Sequence, residues 1–134
     1  RCGFVLANAE LIQILSKVIA PYPIPVPSAD IAAQALADAN LTAVKERVQT
    51  TLDNRQWLAD QLAALAQVER VFPSEANYLL FKCQDGEKVF KALWDLGIIL
   101  RDQNKALNLQ DCIRITVGTK EECERVVEAI KQIN

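Results

Sequence analysis

Histidine is absent from all 134 residues, and methionine is absent as well. Without an imidazole the chain cannot form a Ser-His or Cys-His nucleophilic pair, and most zinc sites are excluded with it. The four cysteines form no CxxC pair, and three of them lie in apolar strand or helix patterns. We therefore expect reduced core cysteines and no metal site. The cysteines are Cys2, Cys83, Cys112 and Cys123.

Long apolar runs and an excess of positive charge are also missing. Prolines interrupt the most apolar stretch, VIAPYPIPVP, well before the roughly 20 residues that a membrane span needs. Lysine and arginine number 15 against 17 acids, which argues against a general binder of nucleic acid. With no signal peptide recognisable, we expect a cytoplasmic protein that binds neither nucleic acid nor membrane.

The first part of the chain combines a predicted strand, two predicted helices and a proline-rich segment. CGFVLA at residues 2–7 is typical of a short buried strand, and Asn8 is suited to cap the helix that follows. In APYPIPVPS, residues 20–28, four prolines fix φ and predict an extended segment. This segment is either a stiff connector or a strap that lines a pocket with Tyr22 turned inward. Ser28 is expected to cap the next helix.

A long helical pattern runs from about residue 41 to about residue 66, with an apolar residue every three to four positions. At 1.5 Å per residue such a helix is about 40 Å long. A helix longer than the width of so small a domain usually bridges two domains or carries a small one.

From about residue 68 onward, short strands and helices alternate in the order β-β-α-β-β-α. This order predicts a compact α+β unit whose mostly antiparallel sheet is covered by helices on one face. Gly97 is placed for a left-handed helix C-cap, and Thr119 with Glu122 matches a capping box. The predicted strands are VERVF, NYLLFKC, IILRD and CIRITVG.

The three strands after VERVF each carry a cation, namely Lys82, Arg101 and Arg114. Because alternate side chains share a face of a strand, Arg114 lies on the face opposite the isoleucines of CIRIT. That face is either simply solvated or an anion site, since an arginine can form two parallel hydrogen bonds with a carboxylate. A partly buried arginine needs an acid or an anionic ligand as its partner. The acid nearest in sequence, Asp111, lies at the edge of the strand.

Five segments together resemble histidinol-phosphate aminotransferase, a pyridoxal-phosphate enzyme family of histidine biosynthesis with the type I aminotransferase fold. The segments are RCGF, APYPIPVPS, PSEANYLLFK, LWDLGIILRDQNK and CIRITVGTKEE. The similarity spans nearly the whole chain and implies an α/β protein of which this chain is a C-terminal fragment. Residues 1–40 would be the end of the large cofactor-binding domain with the proline-rich strap, residues 41–67 the long interdomain helix, and residues 68–134 the small C-terminal α+β domain.

The resemblance also implies a reaction. Enzymes of this family interconvert histidinol phosphate and 2-oxoglutarate with imidazole-acetol phosphate and glutamate, and pyridoxal 5'-phosphate serves as the electron sink. The Schiff-base lysine is expected a few residues before Arg1, so we expect no catalytic residue in this chain and no activity from it alone. A homodimer is implied as well.

Carried over position by position, the resemblance implies that Arg1 contacts the cofactor phosphate and that Arg114 binds the substrate carboxylate. Lys82 stands where close relatives carry an arginine. The lysine keeps the charge but loses the two-pronged geometry, so a phosphate is a better partner for it than a planar carboxylate. Tyr22 is expected to help shape the interdomain cleft.

Arg101 and Asn77 also match family positions, and we expect both to be structural. Two other interpretations stay open. One is a related pyridoxal-phosphate enzyme, either an aromatic aminotransferase or a phosphothreonine decarboxylase, which would differ mainly in pocket residues upstream of this chain. The other is a free-standing α+β module that binds a small anion without catalysis.

Overall fold

The computed structural model describes residues 2–133, and in these residues it has five α-helices and one four-stranded sheet. The chain divides into two compact units, Arg1–Glu46 and Arg47–Asn134. The division falls inside the third helix, α3, which spans Asp38–Ala63.

The first unit contains two short helices and the beginning of α3. Helix α1 spans Ala9–Val18, and the Asn8 side chain accepts a hydrogen bond from the Leu11 N–H at 2.9 Å, which confirms the predicted N-cap. Helix α2 spans Val26–Ala35. None of the described residues of these two helices is buried.

The strand predicted for residues 2–7 is wrong. The segment has no regular secondary structure, and its apolar side chains are exposed, Phe4 by 85% and Leu6 by 89%. A strand is stabilised by hydrogen bonds to a neighbouring strand, and no strand among residues 2–133 pairs with this segment. The same exposure means that Cys2 is not a core residue.

The prediction of an extended proline-rich segment is wrong. The chain bends at residues 21, 22 and 24, Tyr22 has φ of +55°, and α2 already begins at Val26. Pro25 is at the N-cap position of α2 and Pro27 lies in its first turn. Proline is tolerated there because its missing N–H would have no partner within the helix. The prediction that Ser28 caps this helix is therefore wrong, and no side chain caps α2.

Helix α3 confirms the predicted long helix. Its 26 residues correspond to about 39 Å at 1.5 Å per residue. Leu58 and Leu62 in its last turns are fully buried, whereas Val44 and Val48 nearer its start are exposed. The C-terminal part of α3 thus contributes to the core of the second unit.

The second unit has the predicted β-β-α-β-β-α order after α3. The spatial order of its strands is β1-β2-β4-β3, and each pair of neighbours is antiparallel. The elements are β1 (Val68–Phe72), β2 (Tyr78–Cys83), α4 (Gly86–Asp95), β3 (Arg101–Asp102), β4 (Cys112–Thr116) and α5 (Lys120–Lys131).

One face of this sheet forms the core together with the three helices of the unit. Its central side chain is Phe81, which is fully buried. The helices contribute Leu58 from α3, Leu93 from α4 and Ile130 from α5. Burial of these apolar surfaces is the main stabilising contribution to the unit.

Two helix ends of the second unit agree with the predictions. Thr119 Oγ1 accepts a hydrogen bond from the Glu122 N–H, and Glu122 Oε2 accepts one from the Thr119 N–H, so the capping box is confirmed. Gly97 has φ of +73° directly after α4, as predicted for a left-handed C-cap. Among the described residues, no helix is both long and apolar enough to cross a membrane.

Candidate anion-binding site

The second face of the sheet carries the cations predicted from the sequence. We call it the outer face. Phe81 and Ile113 point into the core, so the alternation of the strands places their neighbours on the outer face. Its residues are Arg70, Phe72, Tyr78, Leu80, Lys82, Arg101, Cys112, Arg114 and Thr116.

Two arginines of the outer face lie directly opposite each other. β3 and β4 pair in a register that sets Arg101 against Arg114. Residues opposite each other in an antiparallel pair have Cβ atoms about 4.5–5.5 Å apart, and like charges in this position destabilise a sheet. Among the described residues, neither arginine forms an ion pair with an acid. Two arginines at opposite positions of a strand pair, without an acid partner among residues 2–133, make this part of the outer face a candidate anion site.

Tyr78 restricts the orientation of Arg114. The guanidinium carbon of Arg114 lies 5.1 Å from the centre of the Tyr78 ring, a distance at which the ring quadrupole attracts the cation. Tyr78 pairs with Thr116, so its side chain is on the outer face. The contact of Tyr78 with Arg114 depends on the register of β2 against β4, which the sequence pattern does not provide.

Lys82 has an acid partner on the same sheet. Its Nζ atom lies 2.8 Å from Oε2 of Glu69. The register of β1 against β2 shifts between Val68 and Arg70, so Glu69 is the extra residue of a β-bulge. The hydrogen bond and the charge of Glu69 raise the pKa of Lys82. The charge of Lys82 is therefore balanced by Glu69, unlike the charges of the two arginines.

The other predicted site residues are distributed differently. Arg1 lies outside the described residues. Tyr22 belongs to the first unit, where it is 95% exposed and has φ of +55°, and its role in a cleft stays a prediction. The Asn77 carbonyl accepts a hydrogen bond from the Val117 N–H at 2.9 Å, which extends the pairing of β2 with β4. The bond involves only the backbone, so the structural role expected for Asn77 stays a prediction.

The chain belongs to the aminotransferase class I and II family, whose model matches residues 1–130. It is 71% identical over 133 residues to the histidinol-phosphate aminotransferase of Haemophilus influenzae (strain PittEE), which confirms the resemblance seen in the sequence. These residues are 99% of this chain and 38% of that protein. The chain thus spans well under half the length of this relative.

Two solved structures share the fold. The histidinol-phosphate aminotransferase from Clostridium acetobutylicum matches with a TM-score of 0.79 and 22% identity, over 92% of this chain and 37% of that one. A decarboxylase from Sulfurospirillum multivorans matches with a TM-score of 0.81 and 23% identity, over 96% of this chain and 37% of that one. The fold class predicted from the sequence is confirmed, and because proteins with different names share it, the fold alone does not choose a reaction.

Proposed function

We propose that the protein containing this chain is a transaminase of histidine biosynthesis that interconverts histidinol phosphate and 2-oxoglutarate with imidazole-acetol phosphate and glutamate. The observation that carries the proposal is the Arg101–Arg114 pair, which has no acid partner among the described residues and lies on a sheet of the aminotransferase fold. The 71% identity to a histidinol-phosphate aminotransferase supports the choice of substrate.

In this proposal the two arginines bind and orient the amino donor and the oxo acid. Arg114 receives the substrate carboxylate, because its guanidinium offers two parallel donors and its orientation is restricted by Tyr78. Arg101 adds a second positive charge beside it. We therefore give Arg101 a role in binding in addition to the structural role expected from the sequence. Lys82 has a smaller part, since Glu69 already balances its charge.

Pyridoxal 5'-phosphate is the proposed cofactor. When bound, it withdraws electrons from the substrate carbon that carries the amino group. Within this chain Arg1 would hold the cofactor phosphate. The outer face is proposed to hold a substrate anion, since Arg114 can donate two parallel hydrogen bonds to a carboxylate or to a phosphate. The Schiff-base lysine is proposed to precede Arg1, and a cytoplasmic homodimer is the proposed form of the protein.

Two alternatives are distinguished by experiment. An aromatic aminotransferase or a phosphothreonine decarboxylase would use the same fold, as the similarity to a decarboxylase structure illustrates. A non-catalytic anion-binding module would use the arginine pair without a cofactor.

The test is transamination by the full-length protein with 2-oxoglutarate as amino acceptor. We expect histidinol phosphate to react with a kcat/KM at least about tenfold above that of phenylalanine, since its phosphate brings more negative charge to the two arginines than the single carboxylate of phenylalanine does. We also expect an absorbance band of bound cofactor above 300 nm, an approximate limit set by the conjugated pyridine ring of the cofactor. Equal rates with both donors would contradict the substrate assignment, and a protein without the band and without transamination would favour the non-catalytic module.

A further inference from the structure

The connection between β3 and β4 is held by a chain of three hydrogen bonds from backbone N–H groups to side chains. Asp102 Oδ1 accepts the N–H of Asn104 at 2.8 Å, and Asn104 Oδ1 accepts the N–H of Asp111 at 2.9 Å. Asp111 Oδ1 in turn accepts the N–H of Gly86 at 3.1 Å. The chain of bonds therefore runs from the end of β3 to the residue before β4 and on to the first residue of α4.

The Asp111 end of this chain is fixed by close packing. A Cβ atom on Gly86 would lie 2.5 Å from the Asp111 Cα, a distance that real Cβ atoms do not reach. Asp111 itself has φ of +61°, and its carbonyl accepts the Cys83 N–H at 3.0 Å. Asn104 is thus bonded to a backbone position that is already anchored to both α4 and β2.

β3 is held by a short strand ladder. It is a two-residue edge strand, shorter than the usual 3–10 residues, and among the described residues it pairs only with β4. The Gln103 N–H adds one bond to the Cys112 carbonyl at 3.0 Å, and Leu100, just before β3, is buried in the core.

The residue opposite Arg101 is Arg114, and the repulsion between these charges opposes the pairing. A contact outside the strand ladder therefore helps to keep β3 in register. Asn104, two residues beyond β3, provides it.

We infer that Asn104 is a positioning residue that holds β3 in register with β4, so that Arg101 and Arg114 face an anionic substrate as one site. The inference rests on the proposed function, because it takes the two arginines as the binding site. Asn104 itself touches no substrate. It acts through Arg101, whose place in the sheet depends on the bond between the Asn104 side chain and the Asp111 N–H.

The experiment compares variants of the full-length enzyme with glutamate as the amino donor. Asn104→Ala removes one hydrogen bond, and we expect KM to rise about five- to tenfold while kcat changes less than about twofold. Asn108→Gly is the matched control. The substitution removes an amide from the same connection, and glycine tolerates the φ of +61° at position 108. Among the described residues the Asn108 side chain forms no hydrogen bond. Its KM should stay at the wild-type value.

A double-mutant cycle separates positioning from a general effect on folding. In an Arg101→Ala background, Asn104→Ala should raise KM by less than about twofold, because the residue through which it acts is gone. Amide hydrogen exchange at residues 101–104 should become faster in Asn104→Ala and stay unchanged in Asn108→Gly. If Asn104→Ala fails to fold, Asp102→Ala breaks the neighbouring link and should raise KM in the same way.

The inference is overturned if Asn104→Ala leaves KM unchanged, or if it raises KM by the same factor with and without Arg101. Faster exchange with an unchanged KM would also overturn it, since the loop would then be structural only. Failure of the proposed function would look different, because the wild-type protein would then show either no transamination or no preference for histidinol phosphate over phenylalanine.

Discussion

Arg114 lies between Leu80 of β2 and Arg101 of β3, with its guanidinium carbon 5.1 Å from the centre of the Tyr78 ring. Its place on the outer face could be predicted from the sequence, because the alternation of a strand assigns faces without knowledge of the neighbouring strands. The Glu69 partner of Lys82 could not be predicted, because a β-bulge changes the alternation at one residue and leaves no clear mark in the sequence.

Replacement of Arg114 by lysine tests whether the two parallel donors matter. Arg114→Lys keeps the charge but loses the planar geometry, so KM for glutamate should rise roughly tenfold in the full-length enzyme, with the cofactor absorbance unchanged. Arg70→Lys is the matched control. Arg70 also lies on the outer face, 4.7 Å from the centre of the Phe72 ring, but it is not opposite Arg101. If Arg114→Lys and the wild type have the same steady-state kinetics, the outer face is a solvated surface and not an anion site.

At the scale of elements, local sequence patterns predicted the second unit well and the first unit less well. Strand and helix periods, the capping box and Gly97 are local signals, and each element from β1 to α5 has its partners within the same unit. The segment at residues 2–7 has no strand partner among the described residues, so its apolar pattern misled the prediction. Pro25 and Pro27 led to the prediction of an extended segment, although proline is compatible with the first turn of a helix.

Helix α3 is joined to the sheet by a polar contact that the apolar pattern did not reveal. Asn54 is only 8% exposed, and its Nδ2 donates to the Gly118 carbonyl at 3.0 Å, at the turn between β4 and α5. Asn54→Ala should lower the free energy of unfolding by about 1 kcal/mol, because the half-buried Gly118 carbonyl loses its amide donor. Gln56→Ala on the same helix, where the amide is exposed and bonds only to Asp60, should cost less than about 0.5 kcal/mol. Urea unfolding of both variants measures the difference, and equal costs would show that Asn54 does not anchor the helix.

At the scale of the whole molecule, α3 is the element that both units share, since the division between them falls between Glu46 and Arg47. The boundaries predicted at residues 40 and 67 stay a prediction. The length of α3 could be predicted, because it requires only that the helical repeat of apolar residues continues along the sequence.

Buried thiols make the stability of the folded protein fall at alkaline pH. Burial, followed by the charge of Asp111, raises the pKa of the Cys83 thiol from its ordinary value of 9.0 to about 12. Between these two values the folded protein keeps the proton, whereas the unfolded chain releases it. The unfolded state therefore binds fewer protons, and the free energy of unfolding falls as the pH rises through this range. Below about pH 9 the contribution of the thiol is complete.

Cys83→Ala should weaken this dependence. The cavity that the substitution leaves lowers the free energy of unfolding by the same amount at every pH. This cost therefore cancels when one variant is compared at pH 8 and pH 10.5. From pH 9 to pH 10.5 one thiol accounts for roughly 2 kcal/mol at 1.36 kcal/mol per pH unit, so the loss of stability between the two conditions should be smaller in Cys83→Ala by about that amount. Cys2→Ala is the control, since its thiol is exposed, and it should lose as much as wild type. Urea unfolding of the full-length protein under reducing conditions measures the three losses, and an equal loss in Cys83→Ala and wild type would mean that the core does not hold this thiol protonated.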